Sequence, residues 1–369
     1  MSRISVLVLG ATLTCASIVA TSSSDAGTLK QTRVAWGYDA VPTKNLDCTS
    51  SCFGNVEIYH LGVGTYDVNI ARIYLAEPSN LEVSSAENAT LAYCTIAGWN
   101  RGVGKTIDAY VDCYDINGNP ADTYFTFLYQ SRTLPLGSAE KGIAFLWADQ
   151  PTEASYTPNP DYQYNSTNAT NTMVRNGTGS YTASIPGLTK KGGNVQVTAY
   201  GSGPARCKVS DWGANGAGTS VSVICFDVTG AATDEMFTLA YNIGEPLGLH
   251  GRKIYHGDYG DAGAYAWADK ADDSNIYIPL KAYNYNGFKT GPLTAQKNST
   301  GVYTLSVPDV TFFGGGATML VTAYGASNTF CTAGDGLEGW NPFQVFCYDQ
   351  SGKPADSKFS VMLQTLETK

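Results

Sequence analysis

One spaced set of five residues occurs three times in this 369-residue chain. It begins at Cys113, Cys225 and Cys347, and each cysteine is followed by Asp, Gly, Asp and Phe at offsets of 2, 5, 9 and 12. The copies are 225 − 113 = 112 and 347 − 225 = 122 residues apart. Because solenoid and propeller repeats are only about 20 to 50 residues long, each copy has the length of a whole domain. The sequence therefore predicts three tandem domains, at residues 28–131, 141–242 and 262–365.

Hydrophobic residues within a copy recur with a period of two. In the second copy Val195, Val197 and Ala199 alternate with other residues, and Val221 and Val223 do the same. This period is typical of strands with one buried face, and no segment shows a sustained helical period. The fold class we expect is all-β, with each copy an antiparallel, immunoglobulin-like β-sandwich; a jelly roll or a small barrel is the alternative.

The nine cysteines fit the same division. Each copy holds two cysteines 16 to 19 residues apart with glycine near the midpoint, as a disulfide across a hairpin requires. The Cys-x2-Cys spacing of zinc and thioredoxin-like sites is missing, which favours structural disulfides. We predict three bridges inside domains and a fourth in a loop of the first domain: Cys94–Cys113, Cys207–Cys225, Cys331–Cys347 and Cys48–Cys52.

The N-terminus has the features of a secretory signal peptide. Arg3 precedes an apolar stretch from Ile4 to Thr14, which is too short to span a membrane, and small residues follow near Ala20 and Ala26. We assign residues 1–26 to this signal, with Cys15 lost on cleavage; a lipid on Cys15 is the alternative. No later stretch of the sequence has the length and apolarity of a transmembrane segment, so we expect a secreted or cell-surface protein.

Aromatic residues are the candidates for a ligand surface. Each copy has two tryptophans, and the second lies toward the tip of the predicted hairpin, where an exposed ring can stack on a sugar; packing beside a strand or disulfide is the alternative. Tyrosine pairs in the second and third copies are predicted to share one strand face, either as a recognition surface or as a half-buried sheet. The candidate residues are Trp99, Trp212, Trp340, Tyr162, Tyr164, Tyr283 and Tyr285.

The repeated Asp loop offers oxygen ligands for a metal. Asp115, Asn117 and Asp122 are a calcium candidate, but the other copies have Thr229 and Ser351 in place of Asn117. Calcium takes six to eight oxygens, so we favour a turn in which Asp accepts backbone amides, and predict no metal and no cofactor. The sequence contains neither a Gly-x-Ser-x-Gly nor a His-Glu-x-x-His motif, so we predict no catalytic residues.

The net charge of the chain limits the classes of partner that it can bind. Lys plus Arg is 23 and Asp plus Glu is 32, so the net charge is 23 − 32 = −9. An acidic, charge-poor protein cannot neutralise a phosphate backbone by releasing counterions. We therefore expect no nucleic-acid partner, and an extracellular glycan or protein as the ligand.

Five segments of the second copy form a recognisable pattern: 147–151, 156–160, 179–181, 195–201 and 207–212. They resemble exported tandem-repeat proteins of bacteria, actinobacteria among them. The resemblance implies secretion and repeated β domains and brings no established activity, so it assigns no functional residue. We expect a secreted, non-catalytic protein for extracellular binding, adhesion or coat structure; the alternatives are a glycosidase-like secreted hydrolase with a site in a cleft between domains, and calcium-dependent adhesion.

Overall fold

The structure is a computed structural model of the chain. Strands dominate the residues that it describes, which include two short 3-10 turns and no α-helix. The predicted signal peptide, Cys48, Cys52 and Trp340 lie outside these residues. The described residues are 32–39, 56–71, 78–86, 91–101, 106–132, 142–244, 259–287, 290–308, 317–334 and 342–368.

The strands fall into three sets that follow the three sequence copies. The first domain has β1 (Thr32–Asp39), β2 (Val56–Gly62), β3 (Thr65–Ala71), β4 (Ser79–Ser85), β5 (Ala92–Arg101), β6 (Thr106–Asp115) and β7 (Phe125–Arg132). The second has β8 (Ile143–Ala148), β9 (Ser155–Tyr156), β10 (Gln163–Asn165), β11 (Thr172–Gly177), β12 (Ser180–Pro186), β13 (Asn194–Tyr200), β14 (Arg206–Ala214), β15 (Gly218–Phe226) and β16 (Met236–Asn242). The third has β17 (Tyr259–Ala268), β18 (Asn284–Asn286), β19 (Thr294–Ser299), β20 (Val302–Ser306), β21 (Ala317–Tyr324), β22 (Phe330–Ala333), β23 (Phe343–Tyr348) and β24 (Lys358–Thr368).

Each domain consists of two antiparallel sheets. In the first domain the strand orders are β1-β7-β4 and β5-β6-β3-β2, and in the second β10-β8-β16-β13 and β14-β15-β12-β11-β9. The third repeats the pattern with β18-β17-β24-β21 and β22-β23-β20-β19. The chain is therefore all-β, with three antiparallel β-sandwich domains, as predicted. Three strands extend past the predicted domain limits, since β7 ends at Arg132, β17 begins at Tyr259 and β24 ends at Thr368.

A disulfide staples one hairpin in every domain, in the pairing that the sequence predicts. The bonds Cys94–Cys113, Cys207–Cys225 and Cys331–Cys347 each join directly opposed residues of neighbouring strands. In the second domain the hairpin turns at Gly216, whose φ of 87° suits glycine. In the chain-entropy model, closing a loop of this length stabilises a fold by roughly 3 kcal/mol.

Sheets continue from one domain into the next. Strand β5 of the first domain runs parallel to β13 of the second, with Ile96 opposite Tyr200. Strand β14 of the second domain meets β21 of the third in the same way, with Val209 opposite Tyr324. The Gly201 amide donates to the Ile96 carbonyl at 2.8 Å, and the Gly325 amide donates to the Val209 carbonyl at 3.0 Å. Both junctions therefore use the same positions of the repeat.

The third domain also contacts the first, so the three domains close into a ring. Equivalent hydroxyls of the copies make equivalent contacts around this ring: the Val83 amide donates to Thr198 Oγ1 at 3.0 Å, the Val197 amide to Thr322 Oγ1 at 3.0 Å, and the Val321 amide to Ser84 Oγ at 2.9 Å. These bonds join the first domain to the second, the second to the third, and the third to the first. The molecule thus has a pseudo-threefold axis.

The repeated Asp loops obey the same symmetry. A Cβ on Gly118 of the first domain would lie 3.0 Å from Pro204 of the second, and one on Gly352 of the third would lie 2.9 Å from Leu91 of the first. Both glycines have positive φ, at 83° and 79°. Their positive φ favours glycine at both positions, and the next domain approaches each of them closely.

Candidate functional site

Two clusters of four aromatic rings, which we call the aromatic boxes, lie between consecutive domains. In each box a hairpin tryptophan of one domain packs against a tryptophan and two tyrosines of the next, with ring centroids 4.8–6.2 Å apart across the two boxes. The rings therefore join neighbouring domains. The first box is Trp99, Trp147, Tyr162 and Tyr200, and the second is Trp212, Trp267, Tyr283 and Tyr324.

The predicted ligand tryptophans that the structure describes are buried. Trp99 and Trp212 are each only 6% exposed, so neither ring forms part of an open surface. A β-bulge explains the difference, because the register shifts between Ile96 and Gly98 and again between Val209 and Asp211. The extra residue turns the following tryptophan toward the core, whereas uninterrupted alternation would place it on the outer face.

The predicted tyrosine pairs do not share one strand face. Tyr162 ends a 3-10 turn and packs in the first box, whereas Tyr164 is 3% exposed and packs on Phe145 with ring centroids 5.4 Å apart. In the third domain Tyr283 belongs to the second box, and Tyr285 instead stacks on Tyr265. The members of each pair therefore enter different clusters, because the strand begins only after the first tyrosine.

The first carboxylate of the repeated loop folds the loop onto itself. Asp115 Oδ1 accepts hydrogen bonds from the Asn117 amide at 2.8 Å and the Asn119 amide at 2.9 Å. Asp122, the other carboxylate of the calcium candidate, accepts from the Gly64 amide at 2.7 Å and contacts His60 Nε2 at 2.8 Å. The two carboxylates thus face different partners, as the turn hypothesis requires. Among the described residues there is no group of three or more His, Cys, Asp or Glu placed to hold a metal ion.

The second carboxylate of each loop anchors a neighbouring hairpin. In the second domain Asp234 Oδ1 accepts from the Gly179 amide at 2.9 Å and from the Tyr181 hydroxyl at 3.0 Å. Arg175 donates to the same carboxylate twice, from Nε to Oδ1 at 2.9 Å and from Nη2 to Oδ2 at 2.7 Å. These hydrogen bonds lower the pKa of Asp234 to about 2. The equivalent contacts are that of His60 Nε2 with Asp122 and the ion pair of Lys297 with Asp356.

Three equivalent side chains meet where the pseudo-threefold axis passes between the domains. They are Tyr93, Arg206 and Phe330, each the residue before the first cysteine of the hairpin disulfide in its domain. Arg206 Cζ lies 4.9 Å from the centre of the Tyr93 ring and 4.6 Å from the centre of the Phe330 ring, and the two rings are 5.9 Å apart. A single cation is therefore stacked between two aromatic residues.

A cavity of about 70 Å³ lies beside this cluster, and we call it the axial cavity. Lys208 is its second cation; its Nζ donates to the carbonyls of Ser327 and Thr329 and to Thr329 Oγ1, each at 3.0 Å. Burial lowers the pKa of Lys208 to about 7. Residues of all three domains line the cavity, with no Asp, Glu or His among them; its polar wall includes Ser84, Thr198, Arg206, Lys208, Thr322 and Thr329.

The third domain carries an exposed apolar strip that the second lacks. Ile276, Ile278 and Leu280, which we call the outer strip, are 69%, 58% and 53% exposed and alternate with buried Tyr277 and Pro279. Tyr156 and Pro158 are the equivalents of these two buried residues in the second domain. The outer strip therefore corresponds there to the polar residues Ser155, Thr157 and Asn159.

Sequence reasoning did not single out Arg206 or Lys208. A signal was present, since the residue before the first cysteine is aromatic in two copies and cationic in one. In the part of the chain that the structure describes, no helix is long and apolar enough to cross a membrane. Comparison with family models, curated proteins and solved structures finds no match to this chain.

Proposed function

We propose that the protein is a secreted, non-catalytic β-sandwich protein that acts in extracellular binding, adhesion or surface structure. The observation that carries this proposal is the use of the repeated polar and aromatic residues in maintaining each domain and joining it to the next. The hairpin tryptophans fill the boxes, the loop aspartates anchor turns and hairpins, and the cysteines form disulfides. Three disulfides also favour an oxidising compartment. We therefore expect the binding residues to lie on the outer surface and among the residues that differ between copies.

A secreted hydrolase with a site between domains is the second candidate. The axial cavity lies between domains and holds Arg206 and Lys208, each present in one copy only. A glycosidase, however, needs two carboxyl groups roughly 5 to 9.5 Å apart at the scissile bond. The lining of the axial cavity supplies none, which favours binding over hydrolysis at this place.

The test is binding and turnover measured on the same preparation. Purified full-length chain expressed with its N-terminal segment is recovered from the medium, applied to glycan and protein arrays, and incubated with a panel of polysaccharides. Saturable binding without product formation supports the proposal. Catalytic turnover that disappears when a single carboxylate is changed to its amide contradicts it and establishes the hydrolase.

A further inference from the structure

Arg206 breaks the symmetry of the ring at its centre. The equivalent residues are Tyr93 and Phe330, so only the second domain brings a charge to the axis. The Arg206 residue is 8% exposed, and a charge buried this deeply ordinarily has a carboxylate or several acceptors around it. None of its three guanidinium nitrogens has a hydrogen-bond partner among the described residues.

The residues around Arg206 offset only part of the free-energy cost of burying its charge. The rings of Tyr93 and Phe330 attract the guanidinium by cation–π interaction but do not accept its in-plane N–H groups. The Tyr93 hydroxyl donates to the Pro204 carbonyl at 2.6 Å and accepts no hydrogen bond from the guanidinium. Arginine keeps its proton at every accessible pH, so the group cannot relieve the cost by becoming neutral.

Acidic groups near Arg206 are engaged elsewhere. Asp227 acts on Arg206 through its charge, but its Oδ1 already accepts from the amides of Thr229 and Ala231 at 2.8 and 3.0 Å. Glu82 lies behind Thr198, whose hydroxyl donates to its Oε2 at 2.8 Å, and burial raises the pKa of Glu82 to about 8. At neutral pH the positive charge of Arg206 therefore faces the axial cavity without a carboxylate on the cavity wall.

The axial cavity has the size and charge for a small anion. Its 70 Å³ is several times the roughly 10–15 Å³ that one water molecule requires. Lys208 adds a second positive charge to the lining below its pKa of about 7, and its Nζ is held by three acceptors of the third domain.

We propose that the axial cavity binds a small oxyanion, held by the guanidinium of Arg206. Phosphate, sulfate and carboxylate share the chemistry that this requires, because two of their oxygens can accept two parallel N–H groups from an arginine. A bound oxyanion supplies the missing acceptors for Arg206. It also stabilises the closed ring, because all three domains line the cavity and any ligand of the folded state opposes unfolding. This site is independent of the proposed extracellular role.

The experiment is calorimetric titration of the full chain with sulfate, phosphate and acetate at constant ionic strength. Arg206→Phe is the main variant, because it places the residue type of the third copy at the same position of the repeat. Lys190→Met is the control, since it removes one positive charge from an exposed position. We expect saturable binding to the wild type and to Lys190→Met, and an affinity at least tenfold weaker for Arg206→Phe. The anion with the highest affinity distinguishes an inorganic oxyanion from a carboxylate.

Crystallography with selenate, an anomalous scatterer that mimics sulfate, gives a readout on the wild type alone. Anomalous density in the axial cavity beside Arg206 supports the proposal even if Arg206→Phe does not fold. Three results overturn it: no saturable heat from the wild type up to tens of millimolar of each anion, equal affinity in Arg206→Phe, or selenate found only at other places on the protein.

Discussion

Replacing Glu82 with Gln should stabilise the protein at neutral and alkaline pH. Glu82 is only 1% exposed; Asn80 Nδ2 donates to its Oε1 at 3.0 Å and Thr198 Oγ1 donates to its Oε2 at 2.8 Å. Burial raises its pKa to about 8, so the ionised form is disfavoured in the folded protein. A neutral amide of the same shape avoids the cost of burying a negative charge.

The second domain already has an amide side chain at the position equivalent to Glu82. Gln196 occupies the position equivalent to Glu82, and its Oε1 accepts from Thr322 Oγ1 at 3.0 Å. Its Nε2 donates to Asn194 Oδ1 at 3.0 Å. The equivalent oxygen in the first domain, Asn80 Oδ1, has no hydrogen-bond partner. An amide at position 82 therefore finds an acceptor for its new donor.

The expected gain depends on pH in a defined direction. Below pH 4.5, the reference pKa of Glu82, both folded and unfolded chains carry the proton and the carboxyl has no ionisation cost. Between pH 4.5 and about 8 only the folded chain keeps the proton, so wild-type stability falls as pH rises, and above about 8 the loss levels off. The separation is 8 − 4.5 = 3.5 pH units. At roughly 1.4 kcal/mol per unit, the amide gains on the order of 5 kcal/mol on the alkaline side.

Thermal melts of wild type and Glu82→Gln from about pH 4 to about pH 9 test this expectation. The two proteins should melt at similar temperatures at the acid end and diverge as pH rises. Glu153→Gln removes the same charge from an exposed position and is the matched control, expected to leave the melting temperature unchanged at every pH. A difference of constant size at all pH values, or a variant less stable than wild type at alkaline pH, refutes the reasoning.

Three further changes probe the boxes, the ion pairs and the surface. Trp212→Ala removes one of the four rings of the second box and should lower the free energy of unfolding by about 3–5 kcal/mol in a denaturant titration; an unchanged midpoint contradicts the role of the box. Asp234→Asn should lower the melting temperature at neutral pH, and the difference should shrink as pH falls from 3.8 to about 2, since a depressed pKa stabilises the fold only above that range. The substitutions I276S, I278T and L280N give the outer strip the residues of the second copy. They should shorten retention on a hydrophobic column without changing the melting temperature. A changed melting temperature shows instead that the strip supports the fold.

The architecture of a single domain could be predicted from the sequence because local rules decide it. Alternation with a period of two specifies strands, glycine near the midpoint of each cysteine pair specifies the hairpin, and both follow from neighbours in the chain. The three disulfides inside domains were predictable for this reason. The ring was not, because it depends on contacts such as that of Ser84 with Val321, whose chain separation gives no local signal.

The burial of the hairpin tryptophans has a physical cause that strand alternation does not reveal. A single bulge residue before Trp99 and before Trp212 reverses the direction of the side chains that follow. Glycine at Gly98 is the only local hint of the first bulge, and the second has none, because Asp211 stands at the equivalent position. Which face of such a hairpin is covered depends on the next domain, which the strand pattern does not encode.

Because the three copies are joined in one chain, each can place a different residue at the axis, which a trimer of identical chains cannot do. Identical chains would place three arginines on the axis, which repel one another, or three aromatic rings, which carry no charge. Separate divergence of the copies gives Tyr93, Arg206 and Phe330, and therefore one cation stacked between two rings. The same freedom explains the outer strip, which is apolar in the third domain and polar in the second. Most residues that the copies share maintain the domains and their junctions, so exposed positions at which the copies differ are the ones to mutate in a search for ligands.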